Sequence, residues 1–192
     1  MIERSFDYER ADLVINHPDV LPWVSFDDTP LPITIEPLVA DIKNRLFMSE
    51  SGGFFLHAKN EALDAFELHT FYLKSGHGRE VHDVARDMFE FMFCATPATR
   101  IYTTVPDDAP HAKPPLSFGW RPCFARADLF TRNGVRIGAQ YWRLEFWDWA
   151  YKQKHFASQG AVIAEVSKLQ PEKALSLAKE WAEWSGEVIQ CQ

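Results

Sequence analysis

A short loop containing two glycines is the strongest candidate for chemistry in this chain. Residues 65–73 form an apolar, strand-like run, and residues 74–79, with the sequence Lys-Ser-Gly-His-Gly-Arg, follow it directly. Residues 80–94 then carry apolar side chains at helical spacing. A loop that exposes backbone N–H groups at the start of a helix can hold an anion, because the helix adds the positive end of its dipole. The sequence therefore predicts an anion-binding loop, with a simple tight turn at Gly76 and Gly78 as the alternative.

Two titratable side chains lie on the strand that leads into this loop. Glu67 and His69 are separated by one residue, so they share one face of the strand with Phe71 and Leu73. Imidazole has an unperturbed pKa of about 6.5, which makes His69 a candidate base near neutral pH. The alternative is a solvated strand face, or a buried pair satisfied by hydrogen bonds. His57, on the preceding strand, is then a candidate partner of His69, and no third ligand for a metal is evident.

The elements that position these residues follow from the hydrophobic period. Helical spacing predicts helices over residues 8–15, 35–43, 80–94 and 171–184. Extended patterns predict strands over residues 1–5, 45–49, 53–58, 65–73, 100–105, 124–132 and 135–146. Asn133-Gly134 predicts a type I′ hairpin, and residues 21–32, which contain three prolines, predict a loop that could cap a pocket. Because a helix connects residues 65–73 to residues 100–105, these strands are expected to be parallel neighbours.

The composition excludes several classes of protein. A chain of 192 residues that is 46% hydrophobic suits a globular domain with a substantial core. The net charge of −7 argues against broad binding to nucleic acids or anionic membranes. No apolar run approaches the length of about 20 residues that spans a bilayer, and the charged first residues do not resemble a signal peptide. Cys94 and Cys123 are interpreted as reduced core thiols, so we expect a cytoplasmic protein without a metal.

Five short motifs occur in a particular order along the chain. They are Glu67-Leu68-His69-Thr70, His77-Gly78, Phe91-Met92-Phe93, Val105-Pro106 and Gly119-Trp120-Arg121. In this order they resemble the GNAT superfamily of acyl-CoA-dependent N-acyltransferases, and more narrowly its phage and prophage branch. The close resemblance covers residues 45–146, whereas residues 1–44 fit in outline.

The resemblance implies an α/β (α+β) fold. Its centre is a mixed sheet with a splayed pair of parallel strands, and helices flank the sheet. The implied domains are a GNAT-like acyl-CoA-binding domain over residues 1–150 and a C-terminal helical extension over residues 151–192, packed on the first domain or projecting from it.

The resemblance also implies a function, the transfer of an acetyl or other acyl group from acyl-CoA to an amine. Glu67 lies where a strand glutamate acts as the base in some members, and His69 is the second candidate. Acetyl-CoA is the implied cosubstrate, bound in the gap between the splayed strands, and no metal is needed. The positions that would meet it are Phe71, Tyr72, Leu73, His77, Gly78, Arg79, Glu80, Val81 and Asp108.

The chain departs from the GNAT pattern at several of these positions. Glu80 stands where the loop usually has a small residue, and its carboxylate would compete with an incoming pyrophosphate. His77, or Ser75 in another register, replaces the usual arginine, and Asp108 replaces an asparagine. Three prolines in residues 109–117 disfavour the helix expected there.

The tyrosine that usually protonates the leaving thiolate is absent as well. Its position falls near Pro115, and Tyr102 and Tyr141 are the possible substitutes.

These departures leave other functions open. One is a catalytically inactive GNAT-fold phage protein that serves as a virion, assembly or host-interaction component, located in the virion or host cytoplasm. Another is a protein that keeps the gap for a different small molecule. A set of tryptophans is expected to join the hairpin to the C-terminal helix, or to offer a surface for self-association or a virion partner. The set comprises Trp142, Trp147, Trp149, Trp181 and Trp184.

Overall fold

A six-stranded sheet forms the centre of the computed structural model, which describes residues 3–110, 114–153 and 158–190, with side chains up to residue 183. The strands are β1 Arg45–Met48, β2 Gly52–Ala58, β3 Ala65–Tyr72, β4 Arg100–Pro106, β5 Arg121–Arg132 and β6 Val135–Glu145. The helices of the described residues are α1 Tyr8–Ile15, α2 Leu21–Val24, α3 Glu36–Ala40, α4 Arg79–Ala95, α5 Phe146–Lys152, α6 Gln159–Ser167 and α7 Pro171–Gln190.

The spatial order of the strands is β1-β2-β3-β4-β6-β5, and β3–β4 is the parallel pair. The other neighbours are antiparallel, and α4 forms the crossover between β3 and β4. The hairpin of β5 and β6 turns at Asn133 and Gly134, whose φ angles of 53° and 75° are both positive, as a type I′ turn requires. The predicted fold class, a mixed sheet with one parallel pair, flanking helices and C-terminal helices, is confirmed.

The larger core lies between one face of the sheet and the helices α4 to α7. The apolar stripe of α4 places Met88 and Met92 fully inside, against Phe66 of β3. Each large apolar side chain buried here stabilises the fold by about 1.5–3 kcal/mol. Val166 on α6 and Leu177 on α7 belong to the same core. The C-terminal helices therefore pack on the body, although a domain boundary at residue 150 stays a prediction.

A smaller core lies on the opposite face of the sheet. The helices α1 and α3 bury Ala11 and Val39 there, against Leu46, Phe55 and Phe71 of the first three strands. The helices α1 and α3 therefore cover one face of the first three strands.

Lys173 fastens α7 to the end of α4. Its Nζ lies 2.6 Å from the carbonyl oxygen of Phe93 and 3.1 Å from that of Thr96, and it also donates to the carbonyl of Ala98. Carbonyls at the end of a helix lack partners within the helix, so the lysine satisfies groups that would otherwise be unpaired. Burial lowers the pKa of Lys173 to about 7, although the nearby thiol of Cys94 opposes this shift.

The tryptophans contribute to the junction with the C-terminal helices, as expected. Trp142 of β6 and Trp149 of α5 are buried in the larger core. The ring centroids of Trp147 and Trp181 lie 5.5 Å apart, which links α5 to α7. The side chain of Trp184 lies outside the described residues, and self-association through this region stays a prediction.

Several local predictions need correction. Cys94 is buried, but Cys123 is exposed, because it lies on the edge strand β5 where the register shifts between Pro122 and Phe124. Ser5 forms only an isolated bridge with Leu46 instead of belonging to a strand, and residues 1–2 lie outside the description. The predicted helix over residues 35–43 is limited to the five residues of α3.

Candidate active site

The parallel strands β3 and β4 separate partway along their length. Their pairing runs from Ala65 opposite Arg100 to Glu67 opposite Tyr102 and ends there, although β3 continues to Tyr72 and β4 to Pro106. Beyond that point the edge of β3 that faces β4 has no strand partner among the described residues. The gap therefore exposes backbone hydrogen-bonding groups, which need a partner from solvent or from a ligand.

The hydroxyl of Thr103 marks the point where the strands separate. Its Oγ1 donates to the carbonyl oxygen of Leu68 at 3.0 Å. A side chain thus replaces the next backbone hydrogen bond of the parallel pair.

The loop between β3 and α4 leaves the beginning of α4 uncapped. A single turn of 3₁₀ helix, Lys74–Gly76, leads to Gly78, which takes the N-cap position without a side-chain hydrogen bond to the helix. The φ angle of Gly78 is +94°, and a Cβ there would meet nothing within 4 Å, so the backbone conformation alone requires glycine. The first N–H groups of this 17-residue helix therefore form an end suited to an anion.

The carboxylate of Glu80 is held on the β2 side of this loop. Its Oε1 accepts a hydrogen bond of 3.0 Å from the backbone N–H of Ser51, in the turn between β1 and β2. Burial opposes ionisation of Glu80, but hydrogen bonds from Ser49 and Ser51 outweigh it and keep the pKa of Glu80 below its usual value. A Cβ on Gly76 would lie 2.5 Å from Cβ of Ser51 and 3.1 Å from Oε2 of Glu80. The carboxylate is therefore part of a tight contact within the protein.

Glu67 carries a negative charge that is already paired. Its Oε2 lies 2.7 Å from Nζ of Lys59, and its side chain is 25% exposed. Burial opposes ionisation, but the hydrogen bond from Lys59 and the charge of His69 outweigh it, so the pKa of Glu67 is lowered. A carboxylate with a lowered pKa is a weak proton acceptor near neutral pH.

His69 is the more accessible of the two candidate bases. Solvent reaches its ring, but surrounding protein atoms exclude part of the water and lower its pKa below the ordinary 6.5, with the charge of Glu67 opposing this shift. The lowered pKa favours the neutral form of the imidazole. Across the sheet, His69 lies opposite Phe55, with ring centroids 6.3 Å apart, whereas His57 lies opposite Glu67.

The side chains of Phe71 and Tyr72 are buried on opposite faces of β3. Phe71 belongs to the smaller core, and Tyr72 belongs to the larger one, where its hydroxyl lies 3.2 Å from Oγ of Ser49. Burial raises the pKa of Tyr72 to about 12. Leu73 packs against the smaller core.

Backbone groups of successive β3 residues face alternate edges of the strand: the carbonyl of Leu68 faces β4, whereas the N–H of Leu73 bonds to Ser51 on the β2 side. Of the predicted cosubstrate-binding residues on this strand, Tyr72 can therefore offer its backbone groups to the gap, whereas the backbone of Phe71 faces β2.

Three predicted positions lie at the loop and the start of α4. His77 and Arg79 are exposed, and Val81 packs against the larger core. Arg79 forms an exposed ion pair with Asp83, one turn further along the helix.

The carboxylate of Asp108 forms an ion pair with a residue of β5. Its Oδ2 lies 2.6 Å from Nη1 of Arg132, whose side chain is only 11% exposed. The guanidinium of Arg132 stacks over Phe26, with Cζ 4.8 Å from the ring centroid. Asp108 therefore helps to hold the segment after α2 against the hairpin.

A second set of contacts holds the same segment to the hairpin turn. The carboxylate of Asp27 accepts hydrogen bonds from the backbone N–H groups of Asn133 at 2.7 Å and Gly134 at 2.8 Å. The rings of Phe26 and Phe130 stack with centroids 3.9 Å apart. We call residues 26, 27, 108, 130 and 132–134 the clasp. The predicted loop over residues 21–32 thus begins as the helix α2 and then packs on the hairpin, whereas its capping of a pocket stays a prediction.

The two tyrosines proposed as proton donors lie on the same sheet face as Glu67. Tyr102 is directly opposite Glu67 in the sheet register. Tyr141 lies one strand further and stacks on Phe124, with ring centroids 4.4 Å apart.

Sequence reasoning missed three residues of this site. They are Lys59, which pairs with Glu67, Ser51, which binds Glu80, and Thr103, at the point of separation. The sequence did offer a signal for Lys59, because this lysine lies two positions after His57, which belongs to the neighbouring strand β2.

Comparison with solved structures places this arrangement in a known fold. The spermidine N-acetyltransferase from Vibrio cholerae in complex with CoA and spermine superimposes with a TM-score of 0.62 at 13% identity, covering 78% of this chain and 96% of that chain. A probable acetyltransferase superimposes with a TM-score of 0.59 at 20% identity, covering 77% and 92%. The chain therefore has the GNAT fold. No protein-family model and no curated protein matches the sequence, and membership of the phage branch stays a prediction.

Two other observations concern only the described parts of the chain. None of their helices is long and apolar enough to span a membrane. Within the same residues, no group of three or more His, Cys, Asp or Glu side chains is placed to hold a metal ion. The cytoplasmic location stays a prediction.

Proposed function

We propose that this protein is an N-acyltransferase that moves an acetyl or other acyl group from acyl-CoA to an amine. The observation that carries the proposal is the gap between β3 and β4, which opens beside the uncapped start of α4. An extended ligand with a negatively charged group at one end suits both features. It can pair with the free edge of β3 while its anionic end meets the N–H groups of the helix.

The parts of acyl-CoA correspond to these features in order. The pyrophosphate would meet the backbone from His77 to Val81, and the pantetheine arm would lie along β3 beyond Glu67. The bond between Glu80 and Ser51 supports this assignment, because it keeps the carboxylate on the β2 side of the loop. The fold neighbour from Vibrio cholerae was solved with CoA, which also supports an acyl-CoA donor.

The chemistry is a direct displacement at the thioester carbonyl. The amine nitrogen forms a bond to the carbonyl carbon, the carbon–sulfur bond breaks, and His69 accepts the proton that the amine loses. The negative charge of Glu67 on the same strand face stabilises the resulting imidazolium. The departing CoA thiolate takes up one proton, for which Tyr102 and Tyr141 remain the candidate donors.

The proposal is tested by following release of the CoA thiol from acetyl-CoA in the presence of primary amines. The amines include a polyamine, an amino sugar and a peptide with a free N-terminus, because the acceptor is not specified by the fold. We expect at least one amine to increase thiol release above the rate of hydrolysis. Absence of amine-dependent release across the panel, with a folded protein that binds acetyl-CoA, would contradict the proposed reaction.

A further inference from the structure

A second cavity lies among the C-terminal helices. Its volume is about 850 Å³, within the range of roughly 300–1,000 Å³ that is usual for small-molecule sites. It is lined by residues of α5, α6 and α7 and by Arg121 at the start of β5. The C-terminal end of β6, which leads into α5, lies beside the N-terminal end of β4. That end of β4 is paired with the N-terminal end of β3. The cavity is therefore at the opposite end of the sheet from the gap.

Aromatic and apolar side chains form part of the walls of this cavity, beside the polar residues Gln153, Ser158 and Gln159. Ala150 and Val162 are buried and form apolar parts of the lining. Trp147 and Trp181 stand beside each other with ring centroids 5.5 Å apart, and Tyr151, whose residue surface is 79% exposed, lies at the opening. Three aromatic side chains therefore line one cavity, and aromatic rings carry negatively polarised faces.

Among the described residues of the lining, the charged side chains carry a net negative charge. Arg121 and Asp148 form an ion pair and largely cancel each other. Glu180 of α7 adds a carboxylate that has no ion-pair partner among the described residues. Lys152 lines a smaller adjoining hollow and is not part of this lining.

We propose that this cavity binds an organic cation with an apolar body. The ring faces and Glu180 attract the cationic group, and the apolar lining accepts the hydrocarbon part. An anionic ligand would be repelled by Glu180, and a neutral ligand would gain less than a cation from that carboxylate. This site is separate from the proposed acyltransferase site and does not depend on it.

Calorimetric titration of the full chain with benzyltrimethylammonium tests the proposal. This quaternary ammonium ion has no N–H bond, so it cannot serve as an acyl acceptor and confuse the two sites. We expect saturable binding in the wild type. The Kd should rise about tenfold in Glu180→Gln, and separately by about tenfold in Tyr151→Ala. Both residues are exposed, so these changes leave the core intact. Glu172→Gln is the matched control, because it makes the same change eight residues away, about 12 Å along α7.

A second comparison tests the charge of the ligand. Choline and its uncharged isostere 3,3-dimethylbutan-1-ol have the same shape, and we expect only choline to bind measurably. Equal binding of the two would overturn the cationic class. Absence of saturable binding of benzyltrimethylammonium at millimolar concentration, or equal affinity in the wild type, Glu180→Gln and Tyr151→Ala, would overturn the site.

Discussion

His69 and Glu67 lie on the same strand face but differ in their ability to accept a proton. Glu67 is tied to Lys59 at 2.7 Å, and its pKa is lowered. His69 is exposed and also has a lowered pKa. For an acid group a lowered pKa favours the charged carboxylate, whereas for histidine it favours the neutral base. Of the two, His69 is therefore the better proton acceptor near pH 7.

Substitution of these two residues should have unequal effects on turnover. We expect His69→Ala to lower kcat/KM about 100-fold or more, because it removes the base. Glu67→Gln should lower it by about tenfold, through loss of a charge that stabilises the imidazolium. Steady-state measurement of thiol release checks both values, with His17→Ala as an exposed control. A larger loss for Glu67→Gln than for His69→Ala would assign the base to Glu67.

The pH dependence of turnover provides an independent measure of the same assignment. Because His69 must be neutral to accept a proton and its pKa lies below the ordinary 6.5, kcat/KM should be level at pH 7 and fall as the pH drops below that value. In His69→Ala this acid limb should disappear. An acid limb centred above pH 6.5 in the wild type would contradict the lowered pKa.

Helices and turns that are marked by residues close together in the chain could be predicted from the sequence. Helices without such a pattern, α2 and α6, could not. The stripe of α4 and the Asn133-Gly134 turn were predictable, because both depend on residues close in the chain. The helix α2 has only four residues, too few to show a period. The helix α6 combines buried Val162 and Val166 with apolar residues on its other sides, so it lacks a clear polar face.

The clasp should contribute measurably to stability through Asp27. Its carboxylate accepts two backbone hydrogen bonds from the hairpin turn, so Asp27→Ala should lower the free energy of unfolding by about 1–2 kcal/mol. It should also speed hydrogen exchange at the amides of Asn133 and Gly134. Asp28→Ala is the matched control, since Asp28 is exposed and adjacent. Equal effects of the two substitutions would show that the clasp is not formed in solution.

The attachment of α7 should depend on pH through Lys173. The pKa of this lysine is about 7 in the folded chain and 10.5 as an ordinary value, so between these values the unfolded chain binds more protons. The free energy of unfolding should therefore rise with pH above 7, by at most about 1.4 kcal/mol per pH unit. The thiol of Cys94 opposes the rise above pH 9, because burial raises its pKa from 9.0 to about 12.

Urea unfolding at pH 7 and pH 9 checks this dependence. The variant Lys173→Met should lose the rise that the wild type shows, whereas Lys179→Met, which changes an exposed lysine of the same helix, should keep it. Identical pH slopes in the wild type and Lys173→Met would contradict the lowered pKa of Lys173.

At the scale of the whole molecule, the sequence predicted where the site lies better than what its side chains contact. The loop and α4 follow each other in the chain, so their juxtaposition was predictable. The partners of the two carboxylates were not, because Lys59 and Ser51 reach Glu67 and Glu80 through contacts between elements that lie 8 and 29 positions apart. The helix between β3 and β4 predicted that these strands are parallel neighbours, and the resemblance to GNAT proteins predicted that they splay apart. The register of β3 and β4 shows where the pair opens.

The central claim is that the gap beside α4 binds acyl-CoA, and thermal unfolding in the presence of ligand tests it most directly. The purified protein is titrated with acetyl-CoA, with CoA and with adenosine diphosphate as the control that lacks the pantetheine arm. We predict a dose-dependent rise in Tm with both CoA compounds, since a ligand at 100 times its Kd stabilises the folded state by about 2.7 kcal/mol. The diphosphate should give a smaller rise at the same concentration. An unchanged Tm with acetyl-CoA and CoA up to millimolar concentration would contradict the account.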